Sequence, residues 1–410
     1  MTAGPGLVLC GLRADAPWGT EAEAVPGPFP AARALHERPT VTQETRTDAS
    51  LVLADPRAWR EDPAAADGPG VPPAAPSNRA DFAELSRRIR DEGLLGPRRG
   101  YYAMKITLTT GALAALAATT LALGNSWWNL LVAVGLAFVL AQIGFICHDA
   151  GHRQIGARRR NNDALGLALT NLLTGFSFGW WLKKHNRHHA HSNQPGKDPD
   201  LAPGALAYTQ AQAQERGRLG CWFARTQTLS LVPLLFLEAL NLHLASVLSL
   251  ARRRDRAALV EAALLVVHGA VFFVGPFLLL SPLRALAFVA VTQLLFGFYL
   301  GVSFITNHVG MPTVAGDDDL GFLRRQVLTS RNLSGTRLTG FLFGGLNTQI
   351  EHHLFPAMPR ANLRRASELV RPFCFERRIA YTEQSPWRAY RDVVRHLHAV
   401  GTRPARTAAG

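Results

Sequence analysis

Long apolar stretches constrain this chain more than any other feature of its sequence. Crossing about 30 Å of hydrocarbon takes roughly 20 helical residues, and four stretches of that length carry almost no charge. They cover residues 103–124, 127–147, 257–280 and 283–306. Because only two residues separate the members of each pair, each pair is expected to form a hairpin. The sequence therefore predicts an all-α integral membrane protein with four transmembrane helices in two hairpins.

Two further apolar stretches are harder to assign. Residues 164–182 contain Asn171, and residues 229–250 contain Glu238 and His243. Buried charged and polar groups are costly in a spanning helix. We therefore expect both stretches to be interfacial or re-entrant segments rather than additional spans.

The remaining sequence flanks a predicted domain of residues 81–385. Residues 1–80 hold 12 of the 25 prolines and lack apolar periodicity, which predicts a disordered Pro/Ala-rich tail. Residues 79–90 have the pattern of an amphipathic helix on a membrane surface, and residues 386–410 form a predicted C-terminal tail. Four widely spaced cysteines without a CxxC pair exclude a disulfide framework or a cysteine zinc ribbon.

The distribution of charge indicates the topology. The net charge is +14, but the cations flank apolar segments, so we expect no nucleic-acid partner. Residues 148–256 carry fifteen Lys and Arg, whereas the two hairpin turns carry none. The positive-inside rule therefore predicts that both termini and the histidine clusters below are cytoplasmic. Of the 44 cations 40 are Arg, which a GC-rich genome would explain. We expect the membrane to be a bacterial inner membrane. Trp180 and Trp181 are expected to anchor the membrane interface, with a place in the lining of a substrate tunnel as the alternative.

Eight of the 14 histidines lie at helix exits on this predicted face. Cluster one is His148–His152, cluster two is His185–His189, cluster three is Gln349–His353, and the single His308 follows the fourth span. Residues three or four apart share one face of a helix, so each cluster is expected to present two or three imidazoles to one point. Eight imidazoles suit two metal ions at roughly four to six ligands each, and Fe, Zn and Cu all accept such ligands.

The other histidines are expected to have structural roles, because a lone buried histidine is usually a packing or hydrogen-bonding residue. They are His36, His243, His268, His396 and His398. His191 follows cluster two closely, and both a packing role and a role in supporting the site are open for it.

The clusters resemble the three histidine boxes of the membrane-bound fatty acid desaturases. His148–His152 matches the H-x₃-H form and His185–His189 matches the H-x₂-H-H form. Gln349–His353 resembles the third-box variant that is typical of front-end desaturases, which insert a double bond between an existing one and the carboxyl end. Residues 193–200 and 344–347 are also similar to family sequence, and the resemblance covers about residues 80–385.

The resemblance implies a four-span helical bundle with a helical cytoplasmic cap that holds a di-iron centre. The implied metal ligands are His148, His152, His185, His188, His189, His308, His352 and His353. Gln349 occupies a ligand position and is expected to bind weakly, to bind through a water, or to hydrogen-bond the site. The residues expected to support the imidazoles are Asp149, Asn193, Asp198, Asp200, Asn307, Asn347 and Glu351. For Asp198 and Asp200, capping of a cytoplasmic turn is an equal alternative.

The implied reaction is O₂-dependent desaturation of a fatty acyl chain carried on coenzyme A or a phospholipid. No side-chain acid or base can deprotonate an unactivated methylene, so a metal–oxygen oxidant is required. The sequence has no His-Pro-Gly-Gly haem motif, so we expect a separate ferredoxin-like carrier with an NAD(P)H reductase to supply electrons.

Two alternatives remain open at this point. A membrane di-iron hydroxylase of a lipid or alkane would use the same metal centre. A histidine-lined metal transporter would need ligands near the middle of the membrane, where only His268 lies.

Overall fold

The computed structural model describes residues 78–314 and 320–402, and most of them are helical. The helices are α1 (Asn78–Asp91), α2 (Arg99–Leu123), α3 (Asn129–Gly151), α4 (Arg159–Leu167), α5 (Phe178–Ala190), α6 (Gln210–Gln214), α7 (Arg218–Arg225), α8 (Gln227–Phe236), α9 (Glu238–Ala251), α10 (Arg256–Gly269), α11 (Gly275–Leu279), α12 (Pro282–His308), α13 (Gly321–Leu328), α14 (Arg337–Leu342), α15 (Gln349–Leu354), α16 (Arg360–Glu376) and α17 (Pro386–Thr402). Two short strands, β1 (Asn332–Leu333) and β2 (Glu383–Gln384), pair in parallel. The predicted N-terminal tail, residues 1–80, lies outside the described residues apart from 78–80.

Four helical segments are long and apolar enough to cross a membrane. They are α2, α3, α12 and the continuous run Arg256–Leu279, in which a π-helical turn at Ala270–Val274 joins α10 to α11. In α3 and α12, 67% and 44% of the residues in the most apolar 18-residue segment are buried, against 6% in α2 and 11% in Arg256–Leu279. Thus α3 and α12 pack together in the centre. The predicted helical architecture with four long apolar helices is confirmed.

The two inner helices extend beyond the apolar stretches that predicted them. α3 continues to Gly151 and α12 continues to His308. The additional residues include His148, Asp149 and Asn307, which are buried although they are polar. Hydropathy underestimates the length of these helices because their last turns contact polar protein groups instead of lipid.

Neither of the two ambiguous stretches forms a straight continuous helix. Residues 164–182 are divided between α4, a π-helical turn at Ala168–Thr174 and α5. Gly175, which ends the π-helical turn, has a φ of 78°, a left-handed conformation that favours glycine. In the second stretch, α8 and α9 are bent by 70° relative to each other. That pair is therefore either a broken span or a re-entrant segment.

Two terminal elements differ from the sequence-based expectation. The amphipathic helix at residues 79–90 is present as α1, but Leu85 and Ile89 are fully buried in a cluster that includes Leu323 of α13. Its apolar face is therefore covered by protein instead of lying on a membrane. The prediction of a C-terminal tail is wrong as far as residue 402, because α17 buries Leu397 in a second cluster.

Candidate metal centre

Four helix ends bring the eight predicted ligand histidines together. His148 lies in the last turn of α3, and His152 follows that helix directly. α5 carries the histidines of cluster two, and α15 carries those of cluster three. His308 is the last residue of α12. The site is thus built where the two inner helices meet two shorter helices from distant parts of the sequence.

The imidazoles form two groups, in each of which the candidate ligand atoms lie within 4.8 Å of one another. The first group is His148, His152, His185, His189 and His352. The second group is His188, His308 and His353. Cluster two directs His185 and His189 to the first group, as its spacing predicts, and His188 to the second. Cluster three is divided between the groups, so the expectation that it presents two imidazoles to one point is wrong. Adjacent residues diverge by about 100° around a helix, and neighbouring histidines therefore face different groups.

The distances within the groups are those of ligands around a shared ion. His189 Nε2 lies 3.1 Å from both His185 Nε2 and His352 Nε2. In the second group, His188 Nε2 lies 3.4 Å from His308 Nε2. At a metal–nitrogen distance of roughly 2.1 Å, ligands at right angles would be about 3 Å apart.

Several imidazole nitrogens of the site are buried without a hydrogen-bond partner in the described part of the chain. They include His148 Nε2, His152 Nε2 and His353 Nε2. A buried polar atom without a partner costs about 1–3 kcal/mol, whereas a neutral imidazole nitrogen is a good ligand for a transition metal. These residues therefore fit metal ions, which would satisfy the unpaired nitrogens.

The carboxylate of Asp198 orients His188 in the second group. Asp198 Oδ1 lies 3.0 Å from His188 Nδ1, and Asp198 Oδ2 accepts the Asn193 N–H. Asn193 also donates through Nδ2 to the His308 carbonyl at 3.0 Å. Asp200 Oδ2 is a second carboxylate oxygen near His188 Nδ1, at 3.3 Å. An acceptor at Nδ1 holds the proton there and leaves the Nε2 lone pair for a metal.

The other two histidines of the second group are oriented by residues that the sequence did not point to. His308 Nδ1 lies 3.0 Å from the Thr329 carbonyl, and His353 Nδ1 lies 2.9 Å from Gln326 Oε1. Gln326 lies in α13, and Thr329 follows it. No spacing or motif marks these two residues, because their role depends on how α13 packs against α15.

Burial controls the protonation of the site. Together with the neighbouring imidazoles, burial lowers the pKa well below the usual value for His185, His189, His352 and His353. The neutral form that binds metals is thereby favoured. His188 differs, because the carboxylates of Asp200 and Asp198 outweigh burial and raise its pKa.

Gln349 borders the second group. Its Nε2 atom lies 3.0 Å from His308 Nε2, and its Oε1 atom accepts from Asn307 Nδ2 at 3.2 Å. Asn307 Nδ2 also donates to the Leu346 carbonyl. Asn307 therefore joins α12 to the start of cluster three and fixes the Gln349 amide beside His308.

Asp149 connects the first group to α16. Asp149 Oδ1 lies 3.3 Å from His148 Nδ1, and Asp149 Oδ2 lies 2.6 Å from Arg360 Nη2. Both charged side chains are buried. Gly345 makes room for Arg360, since a Cβ atom at Gly345 would overlap the arginine stem. The sequence analysis missed Arg360, because one arginine among 40 carries no distinguishing pattern.

Like Asn193 and Asn307, the predicted supporting residues Asn347 and Glu351 form no hydrogen bond to an imidazole among the described residues. Glu351 accepts hydrogen bonds from Asn332 Nδ2 at 2.7 Å and from the Tyr381 hydroxyl at 2.8 Å, and burial raises the pKa of Glu351 to about 7. Within the described residues, Asn347 makes no side-chain hydrogen bond to a histidine, and its carbonyl accepts the Leu333 N–H. Both residues hold α15 and the preceding loop in place.

Trp181 lies against the site, which differs from the expected role as an interface anchor. Its ring stacks on His185 with a centroid distance of 4.6 Å and an angle of 18°. Gly151, within cluster one, allows this approach, because a Cβ atom there would lie 2.6 Å from the Trp181 ring.

The histidines assigned structural roles contact polar groups outside the two groups. His243 and His268 lie within hydrogen-bond distance of the carbonyls of Gly175 and Leu172. His396 approaches the Tyr208 carbonyl, and His191 Nδ1 lies 2.9 Å from Gln194 Oε1. His36 lies outside the described residues.

The fold and the site define a helical membrane protein with a histidine-rich metal centre. The family model for fatty acid desaturases matches residues 125–385. The chain belongs to the fatty acid desaturase family, which confirms the resemblance seen in its histidine clusters and the prediction of an integral membrane oxidoreductase of this class.

The relatives of this chain include acyl-lipid and fatty-acid desaturases. The chain is 31% identical over 321 residues to the acyl-lipid (9-3)-desaturase of Physcomitrium patens, covering 74% of this chain and 59% of the moss protein. It is 30% identical to the Delta(6)-fatty-acid desaturase of Caenorhabditis elegans, covering 73% and 70%. It is 29% identical to the Delta(8)-fatty-acid desaturase of Euglena gracilis, covering 80% of each protein. The chain thus spans less than two thirds of the moss relative. These relatives are eukaryotic, and the predicted bacterial membrane remains a prediction.

Proposed function

We propose that this protein is an O₂-dependent fatty acyl desaturase with a di-iron centre that introduces a cis double bond into an acyl chain. The observation that carries the proposal is the division of eight histidines, six buried and two partly buried, into two groups with ligand-like spacing. Bound iron would supply, with O₂ and two electrons, the oxidising power that removing hydrogen from unactivated methylenes requires.

The first group would hold one ion through its five imidazoles, and the second group would hold the other through three. In the second group, Asp198, Thr329 and Gln326 hold protons on the outer imidazole nitrogens. The inner nitrogens then remain available as ligands. Gln349 lies beside His308, and we propose that it serves this group as a weak or water-mediated ligand or through this hydrogen bond.

The position of the new double bond is proposed to be of the front-end type. The glutamine at the first position of cluster three supports this proposal, as do the Delta(6) and Delta(8) desaturases among the relatives. The substrate would then be an acyl chain that already contains one double bond, carried on a phospholipid or on coenzyme A.

The topology is proposed to follow the positive-inside rule. α2 with α3, and the run Arg256–Leu279 with α12, would each form a hairpin, so that both termini and the metal centre face the cytoplasm. A ferredoxin-like carrier and its NAD(P)H reductase would deliver electrons to this face.

Expression in a host of known fatty acid composition tests the function. Mass spectrometry of the host lipids should locate a new double bond between an existing one and the carboxyl end. His188→Ala should abolish this product, whereas His191→Ala, which changes a histidine outside both groups, should retain it. A hydroxylated product without a new double bond would contradict the proposal.

A further inference from the structure

A basic cleft of about 1040 Å³ lies beside the metal centre and is not used by the chemistry above. Asn332 and Tyr381 form part of its wall, and both hydrogen-bond to Glu351 next to His352. Thr348, which precedes Gln349, also lines the cleft. The cleft therefore reaches the outer side of cluster three.

Cations dominate this basic cleft. Its lining includes two acidic residues, Glu368 and Glu383, and six cations: Lys105, Arg337, Arg360, Arg364, Arg365 and Arg371. Three of the arginines are paired with carboxylates of Asp149, Glu92 and Glu383. Arg337 and Arg364 are exposed and form no ion pair with any residue that the structure describes. Two such guanidinium groups in the lining of one cleft suit a phosphate, which arginine binds through paired hydrogen bonds.

One edge of the cleft is apolar and lies at the level of the spanning helices. Gln142 Nε2 donates to the Phe341 carbonyl at 3.3 Å, and the Tyr299 hydroxyl donates to the Leu342 carbonyl at 2.7 Å. Gln142 precedes His148 by six residues on α3, which is about 9 Å at 1.5 Å per residue. The C-terminal end of α14 is therefore held on the membrane side of the metal centre.

Side chains at this edge are apolar and exposed. Phe341 of α14 lines the cleft and is 42% exposed; Leu338 and Met104, which follow Arg337 and precede Lys105 of the lining in sequence, are 62% and 54% exposed. The Lys105 ammonium lies over the Phe341 ring, 4.5 Å from its centre. A wall of cations next to an apolar edge is expected where a protein surface meets the lipid headgroups of a membrane.

We propose that the basic cleft binds the phosphate headgroup of a membrane phospholipid that carries the acyl substrate, with Arg337 and Arg364 as its principal contacts. This inference rests on the proposed desaturase function. The apolar edge favours a ligand that arrives from the bilayer over a coenzyme A thioester that arrives from solution. The concave shape favours a small headgroup over an electron-carrier protein, which requires a broader surface.

The test uses the full-length, iron-loaded enzyme in phosphatidylcholine nanodiscs. The variant is Arg337→Gln with Arg364→Gln, and the control with equal loss of charge is Arg388→Gln with Arg391→Gln on α17. We measure KM for an unsaturated acyl chain carried on phosphatidylcholine and on coenzyme A. We also map photolabelling by a phosphatidylcholine analogue that carries a diazirine in its headgroup.

We expect the cleft variant to raise KM for the phosphatidylcholine substrate about tenfold. It should also lose headgroup labelling of residues 337–342 and 360–371, whereas the control keeps both wild-type properties. Unchanged KM and labelling in the cleft variant would overturn the proposal. A rise in KM confined to the coenzyme A substrate would also overturn the proposal. A decrease confined to the rate of reduction by the electron carrier would overturn it as well. Labelling of the cleft in a wild-type enzyme that makes no double bond would contradict the proposed function and still support the lipid site.

Discussion

Arg360 Nη2 lies 2.6 Å from Asp149 Oδ2, and this ion pair joins α16 to the end of α3 that carries cluster one. Asp149 is 2% exposed and Arg360 is 7% exposed. Because Asp149 also contacts His148, the pair fixes the position of a candidate metal ligand relative to the rest of the site.

Substitution of Arg360 should strongly destabilise the protein. Arg360→Gln leaves the Asp149 carboxylate buried without its counter-charge, which costs about 3–5 kcal/mol and should lower Tm by about 10 °C. Thermal unfolding of the purified enzyme in detergent measures this change. The control is Arg159→Gln, which breaks an ion pair with Asp163 whose side chains are 71% and 39% exposed, and which should cost about 1 kcal/mol or less. Equal shifts in Tm would argue against a structural role for the buried pair.

Asp198 should control metal affinity through His188. Asp198→Asn weakens the interaction that holds the proton on His188 Nδ1, and loss of such a partner typically lowers metal affinity or activity by about 10–100-fold. Iron retained after a timed challenge with a chelator gives the measurement. Asp163→Asn on the surface should behave like the wild type. If Asp198→Asn retains iron as long as this control does, Asp198 does not orient His188.

A methyl group at Gly151 should disturb the site from within cluster one. Its Cβ atom would lie 2.6 Å from the Trp181 ring, which stacks on His185. We expect Gly151→Ala to reduce desaturation severalfold, since small displacements of catalytic groups are costly. Gly156→Ala is the matched control, because the nearest atom to its Cβ would be 3.6 Å away. Equal product yields from the two variants would show that the Trp181 contact is not needed.

Local patterns in the sequence predicted the parts of this protein that depend on local structure. The apolar stretches predicted the four long helices, and the spacing of histidines predicted which residues would gather at the ends of the helices. The division into two groups was not predicted, because it depends on the rotation between His188 and His189 and on the placement of α15. Thr329, Gln326 and Arg360 were missed for a related reason, since each acts through packing between elements that are distant in sequence.

The terminal helices show the same limit. The sequence analysis assigned residues 386–410 to a tail, yet Leu397 of α17 is fully buried. The apolar face of α1 correctly predicted a helix, but this face packs against protein and not against a membrane surface. Hydrophobic pattern identifies a face that needs to be covered, and only the tertiary structure shows whether lipid or protein covers it.

The iron content of the purified protein tests the central claim most directly. The wild-type chain should hold about two iron atoms, five imidazoles binding one and three binding the other. His308→Ala leaves only two histidines in the second group, so this variant should hold about one. A wild-type protein with a single iron atom, or a His308→Ala variant that still holds two, would contradict the two-group metal centre.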